Sequence, residues 1–378
     1  MPDHPVFDFF PGGARFVVDD RDRAVLESAL AESDAVGDAF NALFDHQVRR
    51  LEAEADYRAA LREVYRAAGV NLVSPTMWSF GNQERAVSHR EDRTTVLGRW
   101  QARFDTVDWL RKITDPETAR ETVADGGVGA VLNTQNLGKD IQGDPDEVDT
   151  LYDYGLRVAQ LTYNSQNDLG TGCMENGDAG LSRLGETVVE RLNDRGMVVD
   201  CSHCGEATSE AAIETSADPV AFTHTFCRAL ADHPRGKSDD LLETLAANDG
   251  YAGVLTIPFF ISSDDFDAAF ERFFDHVDHA VSILGVGNVG IGTDWGAWSL
   301  AARDDLPAGV REGVRRTYGD IGFAEGMDHI GQGFGPMTQF TDWTAIPAGL
   351  RDRGYSDEDV RKLTGENFLR FWERVRAD

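Results

Sequence analysis

The chain has 378 residues, is 41% hydrophobic, and carries a net charge of −30 from 66 acidic and 36 basic residues. This is enough length for one large barrel with additions or for two domains, and enough apolar content for a substantial core. An acidic chain without a basic patch is a poor partner for nucleic acid or anionic membranes, since no cluster of cations exists to release counterions.

Only four of the basic residues are lysine: Lys112, Lys139, Lys237 and Lys362. The acidic residues are spread along the chain, as a salt-rich cytoplasm favours, where repulsion between carboxylates is screened. A halophilic, cytoplasmic protein is therefore expected. Met1-Pro2-Asp3-His4-Pro5 opens without the basic region and apolar run of a signal peptide. No apolar stretch has the length of a membrane span. Cys173, Cys201, Cys204 and Cys227 are too few for a disulfide framework and suit a reducing compartment.

Apolar, β-rich runs occur in chain order at residues 6–10, 70–75, 128–133, 158–163, 197–201, 220–223, 252–257 and 289–292. Most are separated by helical patterns. Eight strands alternating with helices predict an α/β fold, a (β/α)8 TIM barrel, as one domain over residues 1–378. An open doubly wound sheet is the alternative. Residues 38–68 read as one helix, with Phe40, Leu43, Phe44, Val48 and Leu51 at helical spacing and a stop at Gly69. Ser238 and Ser356 are expected N-caps. His276 and His279 lie on neighbouring turns of one predicted helix and read as outer-ring surface residues. The segment 295–343, rich in glycine and aromatics, leaves a strand C-terminus and is expected to cover the barrel mouth. The last helix, with Phe368, Leu369 and Phe371, is expected to seal the floor.

Three runs end alike: one leads into His203, one into His224, and one through Thr293 into Asp294. In a parallel barrel such strand ends converge on one mouth. Any one of these residues reads equally well as an ordinary polar residue at a strand exit. Two imidazoles and a carboxylate at equivalent positions read as a divalent-metal site with open coordination positions. Cys201-Ser202-His203-Cys204 contains a Cys-x-x-Cys spacing, for which packing is favoured over metal or redox roles. Asn133, Gln135, Asn136, Asn164, Gln166 and Asn167 line the mouth or simply supply turn chemistry.

Gly196-Met197-Val198-Val199-Asp200-Cys201-Ser202-His203, Thr223-His224, Asp232-His233-Pro234-Arg235, Val289-Gly290-Ile291-Gly292-Thr293-Asp294 and Gly365-Glu366-Asn367-Phe368 follow one another in this order. Together they resemble the membrane (renal-type) dipeptidase family, peptidase family M19, over residues 128–371. The resemblance implies that His203 and His224 bind metal and that Asp294 lies beside it and handles the proton. It also implies that Arg235 grips a substrate carboxylate, a role that suits a guanidinium fork. Three departures accompany it. The first strand, Val6-Phe7-Asp8-Phe9-Phe10, lacks the family's His-x-Asp pair. Gln135 stands where the family has a bridging glutamate, and Tyr163 where it has a further histidine.

The expected metal set is thus His203, His224, Asp294 and Gln135, holding one zinc ion or none. Arg235, Tyr163 and Asn164 are expected to face the substrate. The expected function is metal-dependent hydrolysis of a dipeptide, or a similar small amide with a free carboxylate, through a metal-activated water. The alternatives are another C–N hydrolase, or an altered or inactive barrel that binds a small metabolite. The expected partner is a small molecule, with homodimerisation left open.

Overall fold

The computed structural model describes residues 1–10, 18–32, 36–77, 89–262, 265, 268–296, 308–309, 311–313, 315 and 334–375. Among these, ten strands follow in chain order: β1 (Phe7–Phe9), β2 (Leu72–Ser74), β3 (Leu110–Lys112), β4 (Val128–Ala130), β5 (Leu132–Thr134), β6 (Leu156–Gln160), β7 (Val198–Asp200), β8 (Ala221–Thr225), β9 (Tyr251–Val254) and β10 (Val289–Ile291). All ladders are parallel. They form a four-stranded sheet in the order β1-β2-β4-β3 and a six-stranded sheet in the order β10-β9-β8-β7-β6-β5.

The two sheets are parts of one (β/α)8 TIM barrel. β4 and β5 are two halves of a single barrel position separated by Val131. The first half pairs with β2 and the second with β6, where the register shifts between Leu132 and Asn133. At the other edge the Asp294 amide donates to the Phe9 carbonyl at 3.1 Å, linking the exit of β10 to β1. Helices cover the outside, so the barrel strands are buried on both faces. Their sequences therefore read as continuous apolar runs rather than alternating ones. All eight expected runs contain a barrel strand. β3 was not expected: it lies at the edge of β4, and only Leu110 of its three residues is buried.

The floor is aromatic. Phe368 of the helix Asn367–Val375 packs 4.5 Å from Phe7, 4.7 Å from Phe9 and 5.5 Å from Tyr251, measured between ring centroids. Phe371 reaches Tyr251 at 5.6 Å. These rings join Leu72, Val158, Val198 and Ala221 in one buried cluster at the strand N-terminal side.

Several helical details differ from expectation. Residues 38–68 form two helices, Val36–Ala53 and Ala55–Ala68, because Glu54 is extended (φ −121°, ψ 108°). Its carboxylate accepts from Arg50 at 3.1 Å and from Arg21 at 2.9 Å, so the break is stabilised by charge without proline or glycine. Gly69 does end the second helix, with φ 68°. Ser238 and Ser356 cap their helices through the Leu241 and Asp359 amides. His276 is buried, which corrects the surface reading. It lies between Phe273, Val277 and Ala280 on the inner stripe of the helix Ala269–Leu284. Its Nδ1 accepts from the Cys227 amide at 3.2 Å. His279 keeps a partly exposed pair with Asp239 at 2.8 Å.

Most of the expected cover, 297–333, falls largely outside the described residues. Its described end is packed: Phe334 lies on Phe270 and Phe273, and Trp343 Nε1 donates to Asp8 at 3.1 Å. Among the described residues no helix is long and apolar enough to cross a membrane.

Removing the floor ring tests this core. Phe368→Ala is expected to lower the free energy of unfolding by about 3–5 kcal/mol in urea titration. A loss under about 1 kcal/mol would place Phe368 outside the load of the core.

Candidate metal centre at the strand exits

His203 and His224 leave adjacent strands, β7 and β8, and are both buried. Their Nε2 atoms face each other across 3.0 Å. The opposite ring nitrogens fix which proton each imidazole carries. His203 Nδ1 lies 2.8 Å from the Asn164 amide oxygen, an acceptor, so Nδ1 holds the proton. The Thr223 hydroxyl donates to Asp200 at 2.6 Å and therefore accepts from His224 Nδ1 at 2.9 Å. Burial, and then the Arg235 charge, push both imidazoles well below the ordinary histidine range, so both are neutral.

Two Nε2 lone pairs thus meet at short range. This arrangement fits a Lewis acid between them: zinc held at about 2.0–2.1 Å from each nitrogen needs only a slightly wider gap. The third nearby donor is Gln135, whose amide end lies 3.5 Å from His224 Nε2. Rotating that amide presents its oxygen to the same point. Among the described residues no three His, Cys, Asp or Glu side chains converge closely enough to hold an ion, so Asp294 does not complete a three-ligand set with the pair. The pair and Gln135 make a neutral donor set, which suits one dication and not two.

Aromatic rings flank the pair. Tyr163 stacks on His203 with centroids 4.2 Å apart and planes at 20°. Phe10 lies 4.3 Å from the His224 ring and adopts a left-handed φ of 56°, a strained conformation for a bulky residue. Asn164 and Tyr163, expected to face substrate, thus both touch His203 directly. Glycines admit the Thr223 carbonyl into the barrel. A Cβ at Gly253 or Gly292 would lie 2.1 or 2.0 Å from that oxygen.

Asp294 also has a left-handed φ, 48°. It retains a partly exposed edge, yet burial of its carboxyl pushes it up to about 6, opposed by the Arg235 charge. Arg235 is fully buried. Its two terminal nitrogens each donate at 2.6 Å, one to the Ser202 carbonyl and one to the His224 carbonyl. Its Nε has no hydrogen-bond partner. The guanidinium therefore braces both histidine segments and retains donors for another acceptor.

Four contributors escaped the sequence reading. Asp200 accepts from the Ser202 and Thr223 amides and hydroxyls, locking the two histidine segments together. Asp8 does the same for the Asp294 segment, accepting from the Thr293 amide at 2.8 Å and hydroxyl at 2.7 Å. Thr223 relays to His224, and Lys237 lies buried beside the His203 loop. The available signal was a carboxylate inside an apolar strand, in Val198-Val199-Asp200 and Phe7-Asp8-Phe9, where burial requires dedicated donors.

Burial pushes the Asp8 carboxyl up to about 7 against the bonds from Thr293 and Trp343 that favour its charged form. A carboxyl whose folded value exceeds its ordinary 3.8 holds its proton more tightly in the folded state. Stability from this group therefore falls as pH rises from about 4 to about 7 and is level above that. In urea titrations of the metal-free chain, Asp8→Asn is expected to flatten that part of the slope. Parallel curves for variant and wild type would contradict it.

A family model for membrane dipeptidases, peptidase family M19, matches residues 38–306. Dipeptidase verJ of Clonostachys rogersoniana is 30% identical over 258 residues, 68% of this chain and 57% of that protein. The chain spans about half the length of the curated relatives it matches. An amidohydrolase from Pseudomonas aeruginosa superposes with a TM-score of 0.70 at 24% identity, covering 84% of this chain and 92% of that one. A metallo peptidase from Rhodobacter sphaeroides, liganded with a phosphinate mimic of the dipeptide L-Ala-D-Ala, superposes with a TM-score of 0.70 at 17% identity, covering 98% and 99%. These solved structures share the barrel fold. With the family model matching well over half of its length, the chain belongs to the membrane dipeptidase family, peptidase family M19.

Proposed function

We propose that this protein is a metal-dependent, dipeptidase-like hydrolase that cleaves a dipeptide or similar small amide bearing a free carboxylate, using one divalent cation. Zinc is the ion that best suits the donors. The carrying observation is the facing Nε2 pair of His203 and His224 at 3.0 Å, with both Nδ1 protons pinned elsewhere. A cation held there would polarise an amide carbonyl and acidify water. Asp294, with its carboxyl near 6, takes the proton of the attacking water and passes it to the departing amine. Arg235 offers the substrate carboxylate the donors that the Ser202 and His224 carbonyls leave over. The aromatic faces of Tyr163 and Phe10 hold the imidazoles in place and restrict solvent around them.

A second reading is a barrel that binds a small metabolite without turnover. That no three His, Cys, Asp or Glu side chains form a metal-holding group, among the described residues, favours it. The acidic, lysine-poor composition supports a salt-rich working environment in either case.

Metal analysis of the purified protein and hydrolysis of L-Ala-D-Ala separate the two. One equivalent of zinc is expected per chain. His203→Ala and His224→Ala should each weaken zinc binding by more than about 100-fold, beyond the loss that outer partners cause. Asp294→Asn should retain the ion and lose about 100- to 10,000-fold in kcat. Tight zinc binding with no turnover of any dipeptide would leave only the second reading. A wild-type chain that takes up no zinc would remove the hydrolase reading.

A further inference from the structure

Lys237 is one of four lysines in a chain with 36 basic residues, and it is fully buried. Its ammonium donates to the carbonyl of Cys201 at 2.9 Å, the carbonyl of Cys204 at 2.7 Å and the hydroxyl of Ser209 at 3.2 Å. Three hydrogens meet three acceptors, so the group is a protonated ammonium with no lone pair for base or nucleophile chemistry. No carboxylate pairs with it among the described residues, and the Phe222 ring lies 4.8 Å away. A planar guanidinium could not reproduce this tripod, which explains a lysine where the chain otherwise prefers arginine.

The backbone of Lys237 belongs to the other histidine segment. Its amide donates to the Phe226 carbonyl at 2.9 Å, its carbonyl accepts from the Arg228 amide at 2.9 Å, and it forms a parallel bridge with Cys227. Those residues directly follow His224. The main chain of Lys237 is thus fixed to the exit of β8, while its side chain grips both ends of the Cys201–Cys204 turn that carries His203.

We propose that Lys237 is a positioning residue that sets the spacing between His203 and His224, by tying the main chain beyond β8 to the turn beyond β7. The proposal rests on the reading of these histidines as the metal pair, and its test separates the two. Lys237→Met removes the tripod. Lys237→Arg keeps the charge and breaks the three-fold geometry, and serves if the first variant fails to fold. Cobalt(II) and zinc affinities of the full chain are measured by chelator competition, with the visible spectrum of bound cobalt as a second signal. Both variants are expected to bind about 10- to 100-fold more weakly, as outer partners of metal ligands do, with a changed cobalt spectrum. Val189→Ala, a core change in the helix Arg183–Asp194, is the control: it should lower Tm and leave affinity and spectrum unchanged. Crystal structures of the metal-free variants should show the Nε2 atoms more than about 4 Å apart, too far for one ion to span at zinc–nitrogen distances. A folded Lys237→Arg protein with unchanged Nε2 separation and affinity within twofold of wild type would overturn the proposal. If the wild type binds neither metal, the metal reading fails, and the metal-free separation alone decides the role of Lys237.

Discussion

Strands of a parallel barrel end in carbonyl groups that have left the ladder and still need donors. At this mouth the donors are buried cations. Arg235 takes the carbonyls of Ser202 and His224, and Lys237 takes those of Cys201 and Cys204. The His203 carbonyl goes to the Cys173 amide. The buried carboxylates follow the converse rule: Asp8 and Asp200 are held by amide, hydroxyl and indole donors rather than by cations. Charges held by dipoles keep much of their field. Desolvation, and then the field of Arg235 and Lys237, keeps the imidazoles neutral and able to act as ligands.

The mouth and the floor divide the barrel by chemistry. Below, Phe7, Phe9, Tyr251 and Phe368 form an aromatic plug whose stability comes from area removed from water. Above, the histidine segments are held by buried polar side chains, Asp8, Asp200, Thr223, Arg235 and Lys237, with aromatic rings beside them. The two meet at β1, where Phe9 packs downward into the plug and Asp8 fixes the exit of β10. Phe10 then turns over His224 at the expense of backbone strain. Such strain persists only where surrounding contacts over-determine the conformation, and the rigid plug immediately beneath supplies them.

The barrel was legible in the sequence because burial on both faces turns each strand into an apolar run, and the run ending at His203 shows this as clearly as any. β3 was not, because Leu110-Arg111-Lys112 has a single buried residue and no run to read. The break at Glu54 was hidden because it depends on Arg21, which is distant in sequence. His276 was misplaced by its residue type, although its spacing from Phe273 and Ala280 sets it on the apolar stripe. At the site, His203 and His224 could be read because each lies at or just beyond the C-terminal end of an apolar strand run, and Gln135 because the family resemblance marks its position. The work of Asp8, Asp200 and Lys237 depends on hydrogen bonds to residues up to 335 positions away, which no local pattern encodes.

Charge sets how many cations such a mouth can hold. Asp8, Asp200 and Asp294 supply at most three negative charges near the pair, and Arg235 and Lys237 supply two positive ones. Among these described groups the balance without metal is therefore one negative at most. One dication reverses it to one positive, which a single substrate carboxylate neutralises. A second dication would leave three positive charges in a space where solvent screens poorly, with neutral Gln135 the nearest further donor. On the proposed reading, the same surplus positive charge limits the site to one ion and selects a substrate that brings one carboxylate.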